Sequence, residues 1–264
     1  VNEKRARLRE ILAANAPLVV AYSGGVDSTF LLAEAHAVLG DRVLGVIADS
    51  PSLPRAALEE AIAAARTFGA QVEVVKTLEL DNPDYAANPP NRCYFCKAEL
   101  FQRLDALAKS RGFHAIAYGE NADDLAHERP GRNAADRFHI LAPLRDAALT
   151  KEEIRALSRE LNLPTADAPA QPCLSSRIPW GTPVTPDALA MIELGESALR
   201  ALGFRVFRVR HIVENGRPPR ARVLIAPAEM PRLAETQSHI EREILDAGYS
   251  AMEIDPEGYR GPSA

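Results

Sequence analysis

A doubly wound α/β fold with a mostly parallel sheet, followed by a smaller α+β domain, is what this sequence predicts, and three observations predict it. Short β-type apolar runs alternate with longer helix-type runs from Leu18 to Leu163, the order of βαβ units that cover a parallel sheet on both faces. A loop of serine, glycine and aspartate follows the first apolar run. A proline-rich stretch without periodicity, from Pro164 to Pro186, separates this alternation from a second set of elements. The expected division is therefore residues 1–170 as the first domain, 171–185 as a cysteine-bearing loop or linker, and 186–264 as a small α+β domain.

Taken in order, LVVAY begins the sheet and TFLLAEAHAVLG returns along it. VLGVIADS pairs with the helix PRAALEEAIAAARTFG, and QVEVVKTL with CYFCKAELFQRLDALAKSRG. HAIAYGE is a further strand, and HILAPL is read as a strand before the helix KEEIRALSRELNL. Gly40, Gly69 and Gly112 mark helix ends, and Thr150 with Glu153 three residues later marks a helix start as a capping box. Asn91 is the expected cap of the helix that carries Cys93. The second domain reads as a helix from Asp187 to Leu202, strands FRVFRVRHI and ARVLIA, a helix from Pro231 to Ala247 and a strand-like SAMEI.

The totals exclude several classes. With 264 residues, 47% of them hydrophobic and 25% charged, the chain has enough apolar material for a full core, so disorder is not the description. A net charge of −5, from 31 Lys and Arg against 36 Asp and Glu, gives no general attraction to nucleic acid or anionic membrane. VNEKRARLREILAANAP lacks an apolar signal core and no later run is long enough to span a bilayer, so the expected location is cytoplasmic, without a membrane partner. Three cysteines do not make a disulfide framework and leave redox, reactive or metal-binding thiols open.

In Ser23-Gly24-Gly25-Val26-Asp27-Ser28 two glycines let the backbone approach a ligand closely, and the start of the next helix aims its amides at an anion. The loop lacks the Lys-Ser or Lys-Thr of a Walker loop and is not GxGxxG. SGGVDS resembles the PP-loop of the ATP pyrophosphatases, which split ATP between its α and β phosphates. The resemblance implies ATP at Ser23, Gly24, Gly25, Asp27 and Ser28, with Mg²⁺ on Asp27. It implies adenosine near Ala48 and Asp49 in VIADSP, and a second nucleotide-side motif in AYGENADD at Gly119, Asn121 and Asp124.

Cys93 and Cys96, spaced i, i+3, share one face of the first turn of a helix. A lone CxxC leaves half a zinc site, a redox dithiol and two ligands of an iron–sulfur cluster open. Cys173 sits in QPCLSSRIPWGTPVTP beside Ser175, Ser176 and Arg177, a polar setting unlike that of a buried structural cysteine. The inference is that this loop brings Cys173 toward Cys93 and Cys96, where three thiolates would hold a 4Fe–4S cluster and leave one iron open to exogenous sulfide.

PCLSSRIPWGTPVT, together with EIDPEGYRG near the end, resembles the LarE-type sulfur transferases of the PP-loop superfamily. These convert carboxylates of pyridinium-3,5-dicarboxylate mononucleotide to thiocarboxylates during synthesis of the nickel-pincer cofactor of lactate racemase. One kind sacrifices the sulfur of a single cysteine. Another holds a 4Fe–4S cluster on three cysteines, and Cys93, Cys96 and Cys173 are similar to that kind. The resemblance implies catalytic roles for Cys173, Asp27 and Arg177, substrate contacts at Ser176, Arg177, Glu196, Arg208 and Arg210, and a homo-oligomer; it leaves the sulfide donor unnamed and leaves open whether the sulfur is that of the cluster or of Cys173. On a strand Arg208 and Arg210 share a face, a clamp suited to a phosphate, whereas Arg217, Arg220 and Arg222 read as solvated. The six histidines, His127 among them, form no HxxH pattern, and Trp180 is read as a packing residue. The competing readings are a tRNA-thiolating enzyme, which the acidic balance argues against, and a non-catalytic iron–sulfur or ATP-sensing module. GMP or NAD synthesis leaves the cysteines unexplained.

Overall fold

Residues 1–126, 130–214 and 216–259 are described by the structure, a computed structural model. His127 and the Arg260–Gly261 end of the C-terminal motif lie outside the described residues. The chain divides into two units: Val1–Glu79 with Asn91–Ala168, and Leu80–Pro90 with Pro169–Ala264.

The first unit is built on a parallel sheet. Strands β1 (Leu18–Ala21), β2 (Val43–Asp49), β3 (Val72–Lys76) and β4 (Ala115–Tyr118) lie in the order β3-β2-β1-β4, with Val19 opposite Leu44 on one side and Ile116 on the other. Successive side chains of β1 point to opposite faces, and both faces are covered. Leu18 and Val20 pack into a core with Leu8 and Leu12 of α1 (Asn2–Ala14), Phe30 and Leu31 of α2 (Val26–Leu39), and Ala61 and Ala65 of α3 (Arg55–Thr67). Val19 joins Leu44 and Val46 in a second core, with Phe101 and Leu104 of the helix Arg92–Arg111 and Ala134 and Ala135 of the helix Pro130–Arg137. This is the doubly wound α/β arrangement that the alternation predicts.

Two features of this unit differ from the expectation. The charged N-terminal stretch, read only as lacking a signal core, forms α1. Its Leu8 and Leu12, one turn apart, are buried, and its Arg5 and Arg9 reach the fully buried Glu34 of α2 at 2.9 and 2.7 Å. HILAPL is not a strand. Leu141 makes one isolated bridge to Ala117, His139 has a positive φ of 54°, and Pro143, which has no N–H for a ladder, opens a short helix Pro143–Asp146 instead. The capping box holds: Thr150 Oγ1 accepts the Glu153 N–H at 3.3 Å and Glu153 accepts the Thr150 N–H at 2.9 Å, starting the helix Lys151–Glu160.

The short helix α4 (Pro83–Ala86) belongs to the second unit; after it come α5 (Arg92–Arg111), α6 (Pro130–Arg137), α7 (Pro143–Asp146) and α8 (Lys151–Glu160) of the first. The rest of the second unit comprises α9 (Pro186–Ala201), β5 (Phe207–Ile212), β6 (Arg220–Ile225), α10 (Leu233–Asp246) and β7 (Met252–Ile254). Its sheet runs β5-β6-β7, antiparallel then parallel. Val209, Val223 and Ile225 of the sheet meet Leu199, Ile240 and Ile244 of the two long helices in one core. The excursion 80–90 is fastened into this unit by Asn88. That residue is fully buried with φ 56°, and its side-chain amide donates to the carbonyls of Pro179 and Thr182 at 2.8 Å each.

No helix among the described residues is long and apolar enough to cross a membrane.

Candidate active site

In the first unit the candidate nucleotide residues come from the carboxyl ends of β1, β2 and β4, where open parallel sheets bind ligands. Between β1 and α2 the chain turns through Gly24 at φ 75°, a left-handed conformation that disfavours a side chain. Gly25 occupies the cap position of α2, with no side-chain cap bond. The first turn of α2 therefore has no side-chain cap, and an uncapped helix start of this kind is what receives a phosphate. Ser28 Oγ accepts the Ser23 N–H at 3.2 Å, lies 3.1 Å from Ser23 Oγ and donates to Gly25 O at 3.2 Å, so the two hydroxyls line one loop.

At the end of β4, Gly119 packs on the backbone of that same turn. A Cβ there would lie 2.8 Å from Ser28 N and 3.1 Å from the carbonyl carbon of Asp27. Asn121 and Asp124 follow: Asp124 Oδ2 accepts the Asn121 N–H at 3.1 Å, and Asn121 Nδ2 reaches Asp27 Oδ2 at 3.4 Å. Ser23, Gly24, Gly25, Asp27, Ser28, Gly119, Asn121 and Asp124 are thus one neighbourhood.

Asp27 is its chemical centre. Its Oδ2 accepts Lys151 Nζ at 2.7 Å, while its Oδ1 is buried with no hydrogen-bond partner among the described residues. Burial pushes the Asp27 carboxyl above the usual range; the Lys151 charge and the bonds from Lys151 and Asn121 oppose this, and Asp124 adds to the rise. A buried carboxylate oxygen without a hydrogen-bond partner is the hard donor that Mg²⁺ takes, so the residues present fit that ion.

Four residues here escaped the sequence reading. Lys151 is the first residue of α8, and the Thr150 cap signalled where that helix starts, but no local pattern joins Lys151 to a carboxylate 124 residues earlier. Glu120, nearly buried, accepts Arg132 Nε at 2.9 Å and Arg145 Nη1 at 2.8 Å, and Arg132 also donates to Asp124 O. Burial pushes the Glu120 carboxyl up, yet the bond from Arg132, the neighbouring Tyr118 hydroxyl and the charges of both arginines outweigh it and hold the group below its ordinary value.

Ala48 and Asp49 close β2, paired with Val75 and Lys76 of β3. Asp49 pairs with Arg55, which also donates to Ser50 O at 3.0 Å and Leu53 O at 2.8 Å, so the loop after β2 is ordered by its own side chains. Ser50 Oγ bonds the buried Glu79 and accepts the Ser52 N–H at 2.9 Å.

The other candidates belong to the second unit. Arg177 and Glu196, 3% and 5% exposed, form a bidentate ion pair at 2.8 and 2.9 Å. Arg177 Nη1 donates to Pro172 O at 2.6 Å, to Cys173 O at 2.9 Å and to Ser176 Oγ at 2.9 Å. Arg208 and Arg210 alternate with buried Phe207 and Val209 on β5. Arg208 lies 4.5 Å from the Tyr259 ring centre and donates to Phe207 O and Ala170 O, whereas Arg210 is exposed. Burial, and then the neighbouring Arg177 charge, lower the pKa of Arg208. Arg217 and Arg220 pair with Glu214, and Arg222 with Glu253. Trp180 corrects the packing expectation: it is 71% exposed, because the carbonyls of Pro179 and Thr182 on either side of it are turned inward to Asn88.

Cys93 is exposed and Cys96 half-buried on α5 of the first unit; Cys173 is half-buried in the second, and none forms a disulfide. Asn91 holds the cap position of α5 but its side chain makes no cap bond; its carbonyl accepts the Tyr94 N–H instead. No group of three or more His, Cys, Asp or Glu among the described residues is arranged to hold a metal ion.

No protein-family model matches the chain. It is 38% identical over 262 residues to an uncharacterised protein of Synechocystis sp., covering 98% of this chain and 96% of that protein. It is 31% identical over 258 residues to the pyridinium-3,5-bisthiocarboxylic acid mononucleotide synthase of Lactiplantibacillus plantarum, covering 97% and 92% of the two chains. A glutamine-hydrolysing GMP synthase chain of Pyrococcus furiosus is 27% identical over 179 residues, 62% of this chain and 55% of that protein.

Proposed function

The chain belongs to the family of the pyridinium-3,5-bisthiocarboxylic acid mononucleotide synthase, and from that premise we propose that it is an ATP-dependent sulfur transferase of nickel-pincer cofactor synthesis. Its substrate is pyridinium-3,5-dicarboxylate mononucleotide. A carboxylate is a poor acyl donor because oxide is a bad leaving group, so it is first activated. A carboxylate oxygen attacks the α phosphorus of ATP, the bond to the β-phosphate oxygen breaks, and pyrophosphate leaves. Sulfide then attacks the acyl carbon, AMP departs with the carboxyl oxygen, and a thiocarboxylate remains.

The observation that carries this reading is the loop between β1 and α2: uncapped helix amides, paired serines and an unpartnered buried Asp27 Oδ1 together. The amides, Ser23 and Ser28 receive the phosphates that become pyrophosphate. Asp27 would hold Mg²⁺, which when bound would supply charge to neutralise the phosphates, Lys151 balances the Asp27 charge, and Ala48 and Asp49 serve the adenosine side. On the substrate side Ser176, Arg208 and Arg210 bind the mononucleotide, with Arg208 and Arg210 as the phosphate clamp.

Cys93, Cys96 and Cys173, thiols outside any disulfide, are the proposed ligands of a 4Fe–4S cluster, which when bound supplies the sulfide. The test is anaerobic purification with iron and sulfide counts, followed by pyrophosphate release and product mass with the dicarboxylate mononucleotide. Release that depends on that substrate and yields a thiocarboxylate is expected; release that depends instead on tRNA, or none with the cluster present, overturns the reading.

A further inference from the structure

Arg177 and Glu196 look like substrate contacts in the sequence, but in the fold they are turned on each other and on Cys173. Each nitrogen of the Arg177 guanidinium has a protein partner: Nε and Nη2 bond the two oxygens of Glu196, and Nη1 donates to Pro172 O, Cys173 O and Ser176 Oγ. Glu196 Oε1 also accepts the Val209 N–H of β5 at 3.1 Å, which ties the pair to the sheet. The Cys173 carbonyl is held three times, by Arg177 Nη1 at 2.9 Å, the Ser176 N–H at 3.0 Å and Ser176 Oγ at 2.7 Å. A ligand phosphate that took Arg177 would leave Glu196 buried and uncompensated, which is strongly unfavourable. A buried ion pair with every guanidinium nitrogen engaged fixes geometry; it does not offer a free binding group.

We propose that Arg177 and Glu196 are positioning residues that fix the main chain of Cys173 against β5 and touch no substrate. The inference rests on Cys173 taking part in sulfur transfer, as proposed above, but its first readout is independent of turnover. In the full-length protein, alkylation by iodoacetamide is followed at each cysteine by peptide mass spectrometry. Arg177→Lys, which keeps the charge but loses the planar fork, is expected to raise the Cys173 rate several-fold and leave Cys93 and Cys96 unchanged.

In the turnover assay kcat for sulfur transfer falls about tenfold or more, while KM for the dicarboxylate mononucleotide and the rate of pyrophosphate release stay near wild type. The double variant Arg177→Met with Glu196→Leu removes both charges together, so that none is left buried alone, and tests the same point if the lysine variant does not fold. Unchanged Cys173 alkylation in the folded variant, or a KM raised about tenfold with alkylation unchanged, overturns the proposal. Wild-type protein that releases no pyrophosphate with this substrate refutes the proposed function instead, and leaves the alkylation result to decide the positioning role.

Discussion

Replacing Gly24 by Ala tests whether the loop after β1 is shaped for close approach. Gly24 has φ 75°, and an added Cβ would lie 2.5 Å from Ala61 Cβ and 3.1 Å from Ala61 Cα. Helix α3 cannot easily retreat, because the Tyr22 hydroxyl at the end of β1 donates to Ala61 O at 2.9 Å. The left-handed backbone costs a non-glycine residue about 1–2 kcal/mol and overpacking about 1–3 kcal/mol, so a loss of about 2–5 kcal/mol is expected. Ala61→Gly in the same chain removes the nearest atom but costs about 1 kcal/mol in helix propensity and leaves Ala61 Cα in place, so the rescue is partial. A coupling of about 1–2 kcal/mol between the two sites should appear in a double-mutant cycle measured by urea unfolding. Calorimetry should show ATP binding to Gly24→Ala weakened about tenfold or more, equivalent to about 1.4 kcal/mol. Stability within about 0.5 kcal/mol of wild type, with additive effects and unchanged ATP affinity, would refute the packing argument.

Four further outcomes follow from the charges around the loop. Because burial raises the Asp27 pKa, protons compete with Mg²⁺ at higher pH than at an ordinary aspartate; Mg²⁺-dependent pyrophosphate release should fall on the acid side above the usual carboxylate range, and Asp27→Asn should abolish it at every pH. The same raised pKa means that the folded state holds this proton more tightly than the unfolded chain, so ionising Asp27 lowers stability as pH rises through that window, and Asp27→Asn should remove this slope from pH-dependent unfolding. Lys151→Met withdraws the charge that opposes the rise, so the acid limb should move to higher pH; an unmoved limb would show that Lys151 does not act on Asp27. Glu120, with a lowered pKa, contributes stability that is present above its unfolded value and lost as pH falls through its folded value. Glu120→Gln should therefore cost about 1–3 kcal/mol near neutral pH, less than a fully buried pair because Arg132 and Arg145 are partly exposed, and should flatten the acid limb of unfolding.

The parts of the fold that could be read from the sequence are those whose cause is local. Alternation of β-type and helical runs located β1 to β4 and the helices between them, and the Thr150–Glu153 box is a contact of three residues' reach. HILAPL misled because its composition suits a strand while Pro143 denies it a ladder and opens α7. α1 escaped because its apolar face is narrow: only Leu8 and Leu12 are buried, charged residues interrupt the pattern, and its anchor, Glu34, lies in another helix.

The site divides along the same line. SGGVDS is contiguous, so the amides, serines and carboxylate that meet in the fold already stand together in the sequence. The role of Arg177 is not contiguous in that sense. Its position in the loop is plain from the sequence, but what its guanidinium does depends on Glu196 in the following helix and on the exclusion of water from both. The same arginine in solvent would be an open anion site, and burial with a fitted carboxylate turns it into a brace for Cys173. Lys151 makes the converse case: an ordinary first residue of a helix becomes the cation of a partly buried carboxylate through a contact 124 residues long. Residue type and local spacing thus mark where chemistry is available, and tertiary burial decides which of those groups remains free to carry it out.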